Sequence, residues 1–311
     1  MTNTAELVVK ATIWEADAVL GVVLADLDGK PLPQWQPGCW IGLHVNGIQR
    51  QYSLCGDVDD PYTYRIAVRL ADASRGGSSF IHDHLRPGHV ITVGLPFNSF
   101  PMVPAPEYLF VAGGVGITAL LPMIAAADRA RVSWELLYCG RTRWTMPFLD
   151  ILGTYAGKVS VFTSEDGNRP DLTSAVSALP TTTRVYCCGP ESMLSEIETA
   201  ARIAGVAVSA ERFVPADVDH GDDLPFTVHC TESALDVTVP AGRSMAAALN
   251  DAGLAVDTAC SEGICGTCKL AVTGGTPDHR DQVLTAQERS AGAAIMACVS
   301  RSLGPSLSVA L

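Results

Sequence analysis

Apolar and polar residues alternate along the first third of the chain in short runs. Residues 4–14, 18–26, 64–70 and 90–94 follow the two-residue period of strands with one buried face. Pro31, Pro33, Pro37-Gly38 and Pro87-Gly88 fall between runs. Proline lacks the donor that a sheet interior needs, and Pro-Gly pairs turn the chain. Many short strands with turn signals predict a small antiparallel β-barrel over residues 1–102.

The pattern then changes. Tyr108-Leu109-Phe110-Val111-Ala112 is an unbroken apolar run that leads into Gly113-Gly114-Val115-Gly116, and Ala119 to Ala127 predicts a helix. Val132 to Cys139, Val159 to Thr163 and Arg184 to Cys188 are further apolar strands, separated by helical stretches. This alternation predicts a doubly wound parallel α/β sheet over 103–213. Residues 214–225 hold four acids, two prolines and no base, which predicts a solvated linker. Residues 226–311 begin again with alternating strands. The chain is therefore read as multidomain.

Composition narrows the class. A hydrophobic content of 48% supports filled cores, no apolar run reaches membrane-spanning length, and Met1 to Leu7 lacks a basic-then-apolar signal pattern. A soluble, cytoplasmic protein is expected. The formal net charge of −12 argues against a nucleic-acid partner. It suits docking to another protein, and equally suits ordinary solubility.

The C-terminal part carries the sharpest chemical signal. Cys260, Cys265 and Cys268 form C-x4-C-x2-C, and Cys298 follows thirty residues later. That is the plant-type spacing for a 2Fe–2S cluster. Four thiolates must converge on two irons, so three come from one tight loop and the fourth from a distant element. Gly263 and Gly266 let the loop backbone curl and bring N–H groups toward the sulfurs. Zinc ligation and a disulfide pair are the competing readings, but zinc sites favour symmetrically repeated C-x2-C pairs. Cys39, Cys55, Cys139, Cys187, Cys188 and Cys230 lie mostly in apolar strand-like stretches and are expected to be buried thiols.

Weaker signals lie upstream. Arg50-Gln51-Tyr52-Ser53 offers a cation for phosphate, an aromatic face for a flat ring and a hydroxyl. A core tyrosine beside a surface arginine would look the same. In Arg75-Gly76-Gly77-Ser78-Ser79 a glycine turn opens a helix expected to carry Phe80, Ile81 and Leu85. Such a helix start is a ready anion site, or a plain turn and cap. Two anion-friendly patches in one predicted barrel suggest one phosphorylated cofactor. Gly113-Gly114-Val115-Gly116-Ile117-Thr118 has the strand-turn-helix context of a phosphate-binding turn, without G-x-G-x-x-G. Cys188-Gly189-Pro190 follows another strand end, with Pro190 expected as the first helical residue.

With these residues in place the whole chain resembles the phthalate dioxygenase reductase family, the reductase components of Rieske non-haem iron oxygenases, vanillate demethylase reductases included. The strongest stretch runs from Cys260 to Cys268, then His279-Arg280-Asp281-Gln282-Val283-Leu284, then Cys298-Val299-Ser300-Arg301. The resemblance implies an FMN-binding barrel, an NADH-binding α/β domain and an α+β plant-type ferredoxin domain of β-grasp type. It implies that Cys260, Cys265, Cys268 and Cys298 hold the cluster. Arg50 and Gln51 would border the FMN phosphate and ribityl chain, and Tyr52 and Ser53 the flavin ring. Ala67, Val68 and Arg69 match a flavin-contacting strand, and Arg75, Gly76, Gly77 and Ser78 the phosphate end. Thr118 and Phe213 would approach the flavin. Gly114, Gly116, Cys139, Arg141, Asp166 and Cys188 would border the nicotinamide dinucleotide. No residue is required as a general acid or nucleophile.

There are departures. Ala119 stands where the family commonly has proline. Gly140-Arg141-Thr142-Arg143 holds two cations where one is usual, and an added cation suits a 2′-phosphate. The implied function is an NADH-dependent reductase that passes electrons through FMN and 2Fe–2S to a Rieske-type oxygenase, as a monomer. A haem monooxygenase as partner is the alternative. A redox sensor built on the cluster or on Cys187-Cys188 is a second alternative from another class.

Overall fold

The computed structural model describes residues 4–72, 74, 76–155, 157–213 and 223–311. Arg75, expected at the flavin phosphate, lies outside them. The chain divides into two compact units, Met1–Arg212 and Phe213–Leu311.

The first unit opens with β1 (Thr4–Ala16), β2 (Val19–Asp26), β3 (Cys39–Val45), β4 (Ile48–Ser53), β5 (Thr63–Arg69), α1 (Gly77–His84), β6 (Val90–Gly94) and β7 (Phe97–Asn98). The strands form one antiparallel sheet in the order β4-β3-β6-β1-β2-β5, with β7 on β3. Leu7, Val22, Leu24, Ile41, Leu43, Ile66 and Val93 from five strands meet Ile81 of α1 in one core. Alternate positions on each strand supply these contacts, which is why the two-residue period was legible. Among the described residues no ladder joins β4 to β5, so the predicted barrel is open at that seam. Leu85, expected inside α1, is instead its C-cap, with extended backbone.

The sheet that follows contains β8 (Glu107–Gly113), β9 (Ser133–Gly140), β10 (Val159–Thr163), β11 (Thr183–Cys188) and β12 (Ala207–Glu211). All pairs are parallel and the order is β10-β9-β8-β11-β12. The connections carry α2 (Ile117–Arg129), α3 (Leu149–Leu152), α4 (Leu172–Ser177) and α5 (Glu191–Ala204). α5 buries Met193, Leu194, Ile197, Ala200 and Ala201 at helical spacing and stops at Gly205, whose φ of 70° suits glycine. Pro190 is its N-cap rather than its first residue; its extended backbone ends the strand connection before the helix begins. Ala16, Val19 and Ala67 share a core with Phe110, Ile117 and Leu120, so the two sheets of this unit are welded by apolar packing.

The second unit contains β13 (Phe226–Cys230), β14 (Leu235–Val239), α6 (Met245–Asp251), β15 (Lys269–Gly274), β16 (Pro277–Asp278), α7 (Ala286–Ala291), β17 (Ala294–Met296), β18 (Arg301–Ser302) and β19 (Ser306–Val309). A mixed sheet runs β14-β13-β19-β15-β17, with β13 parallel to β19. α6 buries Met245, Ala246, Ala248 and Leu249 against it, a β-grasp arrangement. Asp223, read from sequence as solvated linker, is a buried carboxylate here. Arg280 meets it at 2.7 Å and Arg301 at 3.5 Å, both largely buried themselves. Buried charge is tolerated only when paired in this way, and the cations that pair it lie more than fifty residues downstream.

Candidate functional site

The cysteine loop occupies the path from α6 to β15. Cys260, Cys265, Cys268 and Cys298 are all buried. Pairing of β15 with β17 sets Lys269 opposite Met296, and the Ala297 amide donates to the Cys268 carbonyl at 3.1 Å. This register carries Cys298 to the end of the loop. The four sulfurs then form one chain of contacts: Cys265 to Cys260, Cys260 to Cys298, and Cys298 to Cys268. Contact with Cys265 and Cys298 draws the Cys260 thiol well below its ordinary range. The hydrogen bond to Cys260 pushes Cys265 up. Contact with Cys298 lowers Cys268, and Cys298 itself is driven up by its neighbours Cys260 and Cys268 and by burial.

Backbone amides surround these sulfurs. The Glu262 amide donates to Cys260 Sγ at 3.3 Å, joined by that of Ile264; Thr267 N serves Cys265 and Cys298 N serves Cys268. Such donors stabilise thiolate charge. Gly263 has φ 71°, and a Cβ there would sit 2.6 Å from Val299. Only glycine lets the loop close at this point. The Gly263 carbonyl accepts from Gln282 N at 2.8 Å, and the buried Asp281 carboxylate accepts from Val283 N at 3.0 Å and Leu284 N at 2.8 Å. The segment 279–284 thus clamps the loop from outside. Among the described residues no three ligating side chains surround a single point as one metal ion requires. A two-iron cluster takes two thiolates per iron, and a chain of four converging sulfurs ringed by amides fits that group.

In the first unit the two expected anion patches meet. A Cβ on Gly77, the first residue of α1, would lie 2.8 Å from Arg50 Cγ and 3.5 Å from its Nε. The Arg50 side chain of β4 therefore lies along the helix N-terminus, where the helix dipole favours an anion. Ser74 Oγ ties this turn, accepting from Gly76 N, Ser79 N and Ser78 Oγ at 3.2, 3.2 and 3.0 Å. Gln51 Nε2 is buried without a partner, a donor available to a ligand. Strand alternation puts Arg50 and Tyr52 on one face of β4 and Gln51 and Ser53 on the other. Tyr52 packs against the core and its hydroxyl is pushed up to about 12 by burial.

Ser53 reaches across to the parallel sheet. Its hydroxyl donates to Glu211 Oε2 at 3.3 Å, and burial drives that carboxyl up to about 8, so it holds a proton at neutral pH. On β5, Ala67 and Val68 are buried, while Arg69 is exposed and paired with Asp72 at 3.1 Å.

The strand order reverses between β8 and β11, which is where open α/β sheets bind ligands. The 3-10 turn Gly114–Gly116 after β8 leans on the end of β11: a Cβ on Gly116 would sit 2.3 Å from the Cys188 carbonyl oxygen. Tyr138 Oη donates to the Gly114 carbonyl at 3.1 Å and fixes the turn from beneath. Cys139 is half-buried and raised to about 11 by burial; Cys188 is fully buried and raised further. Thr118 is buried, with its hydroxyl spent on the Val115 carbonyl at 2.9 Å. Arg141 and Asp166 lie exposed on neighbouring strand-end turns, where the Glu165 amide donates to the Arg141 carbonyl at 3.0 Å. Phe213 is exposed and begins the second unit.

The structure thus brings together the four cysteines, and separately Arg50 with Gly76-Gly77 and Gly116 with Cys188. Sequence reasoning missed Glu211, which is 158 positions from Ser53, and the clamping role of Asp281. Acid in an otherwise apolar strand end, Ala210-Glu211, was the available signal for the first.

Residues 228–303 match the family described as the 2Fe-2S iron-sulfur cluster binding domain. The chain is 35% identical over 289 residues to the phthalate dioxygenase reductase of Burkholderia cepacia, spanning 89% of this chain and 88% of that protein. The solved structure titled as phthalate dioxygenase reductase, a modular structure for electron transfer from pyridine nucleotides to [2Fe-2S], matches with TM-score 0.72 and 32% identity over 99% of this chain and 98% of that one. An intact type IV self-sufficient cytochrome P450 monooxygenase matches with TM-score 0.89 and 37% identity over 99% of this chain, which spans only 41% of that longer protein.

Proposed function

The chain belongs to the phthalate dioxygenase reductase family, and on that footing we propose that it carries electrons from NADH through FMN and a 2Fe–2S cluster to a Rieske-type terminal oxygenase. It is an oxidoreductase of the oxygenase-reductase kind, with the flavin- and nucleotide-binding fold and a 2Fe–2S domain. The observation that carries the reading is the single chain of contacts joining four buried cysteine sulfurs in the plant-type spacing, which suits a two-iron cluster.

A bound flavin would supply the means to take up two electrons as a hydride and give them out one at a time. The protein's own residues bind and orient. Arg50, Gly76 and Gly77, with Arg75, would hold the cofactor phosphate, Gln51 its sugar chain, and Tyr52, Ser53, Ala67, Val68 and Arg69 its ring. Ser78 binds through its neighbours' turn, and Thr118 positions the turn through Val115. Ser53 donates to Glu211, and the buried Glu211 carboxyl can hold a proton there. Gly114, Gly116, Cys139, Arg141, Asp166 and Cys188 would border the dinucleotide, and the flavin contact of Phe213 stays what the resemblance implies. Cys260, Cys265, Cys268 and Cys298 would ligate the irons. One compact phosphate site beside Arg50 supports FMN as the flavin.

A haem partner is the second reading, favoured by the match to the cytochrome P450 chain. The form of the redox-sensor reading built on Cys187-Cys188 loses its chemistry: both are fully buried, and burial lifts Cys187 to about 12 and Cys188 further still, so neither offers a thiolate. The test pairs the purified protein with a Rieske oxygenase lacking its reductase and with a P450 lacking its own. NADH-dependent product with the Rieske enzyme is expected. Product with the P450 alone would overturn that choice of partner.

A further inference from the structure

We propose that the loop after β9 holds the 2′-phosphate of NADPH, so that the protein accepts NADPH as well as NADH; this rests on the parallel sheet being the dinucleotide site. In the order β10-β9-β8-β11-β12, β8 carries the glycine turn and β9 is the next strand outward. In such sheets the residues beyond that second strand meet the adenosine ribose. An acid there bonds a free 2′-hydroxyl, and arginine accommodates a 2′-phosphate.

This chain places Gly140-Arg141-Thr142-Arg143-Trp144-Thr145 at that point, with two cations and no acid. Arg141 and Arg143 are both exposed, and neither guanidinium has an ion-pair or hydrogen-bond partner among the described residues. The acids on the adjoining turn are Glu165 and Asp166, and the Asp166 carboxylate is engaged by the Thr163 hydroxyl. A chain with 33 acids and 21 Lys and Arg residues has carboxylates in excess, yet these two cations are left without one. Guanidinium is the group that matches phosphate with paired donors.

The loop is also set in advance. Thr142 Oγ1 accepts from Thr145 N at 3.2 Å, and the Trp144 carbonyl accepts from Asp17 N at 3.0 Å. Trp144 packs on Trp14 with ring centroids 5.0 Å apart, yet remains 65% exposed. An exposed indole that follows two unpaired arginines on one short loop offers the chemistry that takes an aromatic base with a phosphate on its sugar.

Calorimetry on the holoprotein tests this with adenosine 2′,5′-bisphosphate and 5′-AMP, neither of which carries a hydride. The bisphosphate is expected to bind roughly tenfold tighter or better, with Trp fluorescence quenched on binding. Rising salt should shrink the difference. Arg141→Gln with Arg143→Gln should remove most of it and lower the NADPH-to-NADH ratio of flavin-reduction rates by a similar factor. Equal affinity for the two nucleotides, or an advantage that survives the double variant, overturns the proposal while NADH still reduces the flavin. Failure of NADH itself to reduce the flavin overturns the dinucleotide reading along with it.

Discussion

The cysteine loop and the glycine crevice solve the same problem, holding a redox group, by opposite means. In the second unit four side chains would grip the group directly, and three of them sit within nine residues. In the first unit the site is made largely of what is missing: a Cβ at Gly116, an acid after β9, a partner for Gln51 Nε2. A site of ligands is written in spacing. A site of absences and backbone is written in topology, and shows only when the strands are assembled.

This contrast predicts separable failures. The largest effect is expected for Cys265→Ser. It removes one thiolate from a chain of four, so cluster absorbance and electron delivery to an oxygenase should fall to background. NADH should still bleach the flavin, because the crevice shares no residue with the loop. Loss of both in an anaerobic stopped-flow trace would show that the two regions are not separable.

Arg50→Ala attacks the other side. It removes the cation beside the α1 N-terminus while leaving the helix amides, so flavin affinity should fall roughly tenfold or more. Iron content should be untouched. Fluorescence of released flavin against dilution reads the affinity, and unchanged retention would remove Arg50 from the phosphate site.

The smallest effect is a pH dependence confined to the first unit. Burial raises Glu211 from its ordinary 4.5 to about 8. Between those values the folded protein holds a proton that the unfolded chain has released. The contribution of this group is therefore fully present below about pH 4.5, shrinks through that window and is gone once the pH passes 8. Melting of the first unit should weaken from pH 6 to pH 9, and Glu211→Gln should flatten that slope. Identical slopes in the two proteins would deny Glu211 the role.

The same contrast explains what was legible. The strands around Leu7, Phe110 and Val185 were readable because alternation and unbroken apolar runs follow directly from which faces are buried. The cluster loop was readable because coordination geometry constrains spacing. Asp223 was misread as solvated because its partners, Arg280 and Arg301, come from distant sequence. The R-x-Y-S string looked like one surface, yet strand period splits it, with Arg50 against α1 and Ser53 toward Glu211. Pro190 and Leu85 fell one position outside their helices because a cap residue carries the same propensity signal as the helix terminus it closes.

The central claim, that Cys260, Cys265, Cys268 and Cys298 hold two irons, is met most directly by chemical analysis of anaerobically purified protein for iron and acid-labile sulfide. The account predicts about two of each per chain, both lost together in Cys265→Ser. One zinc per chain with no sulfide would contradict it.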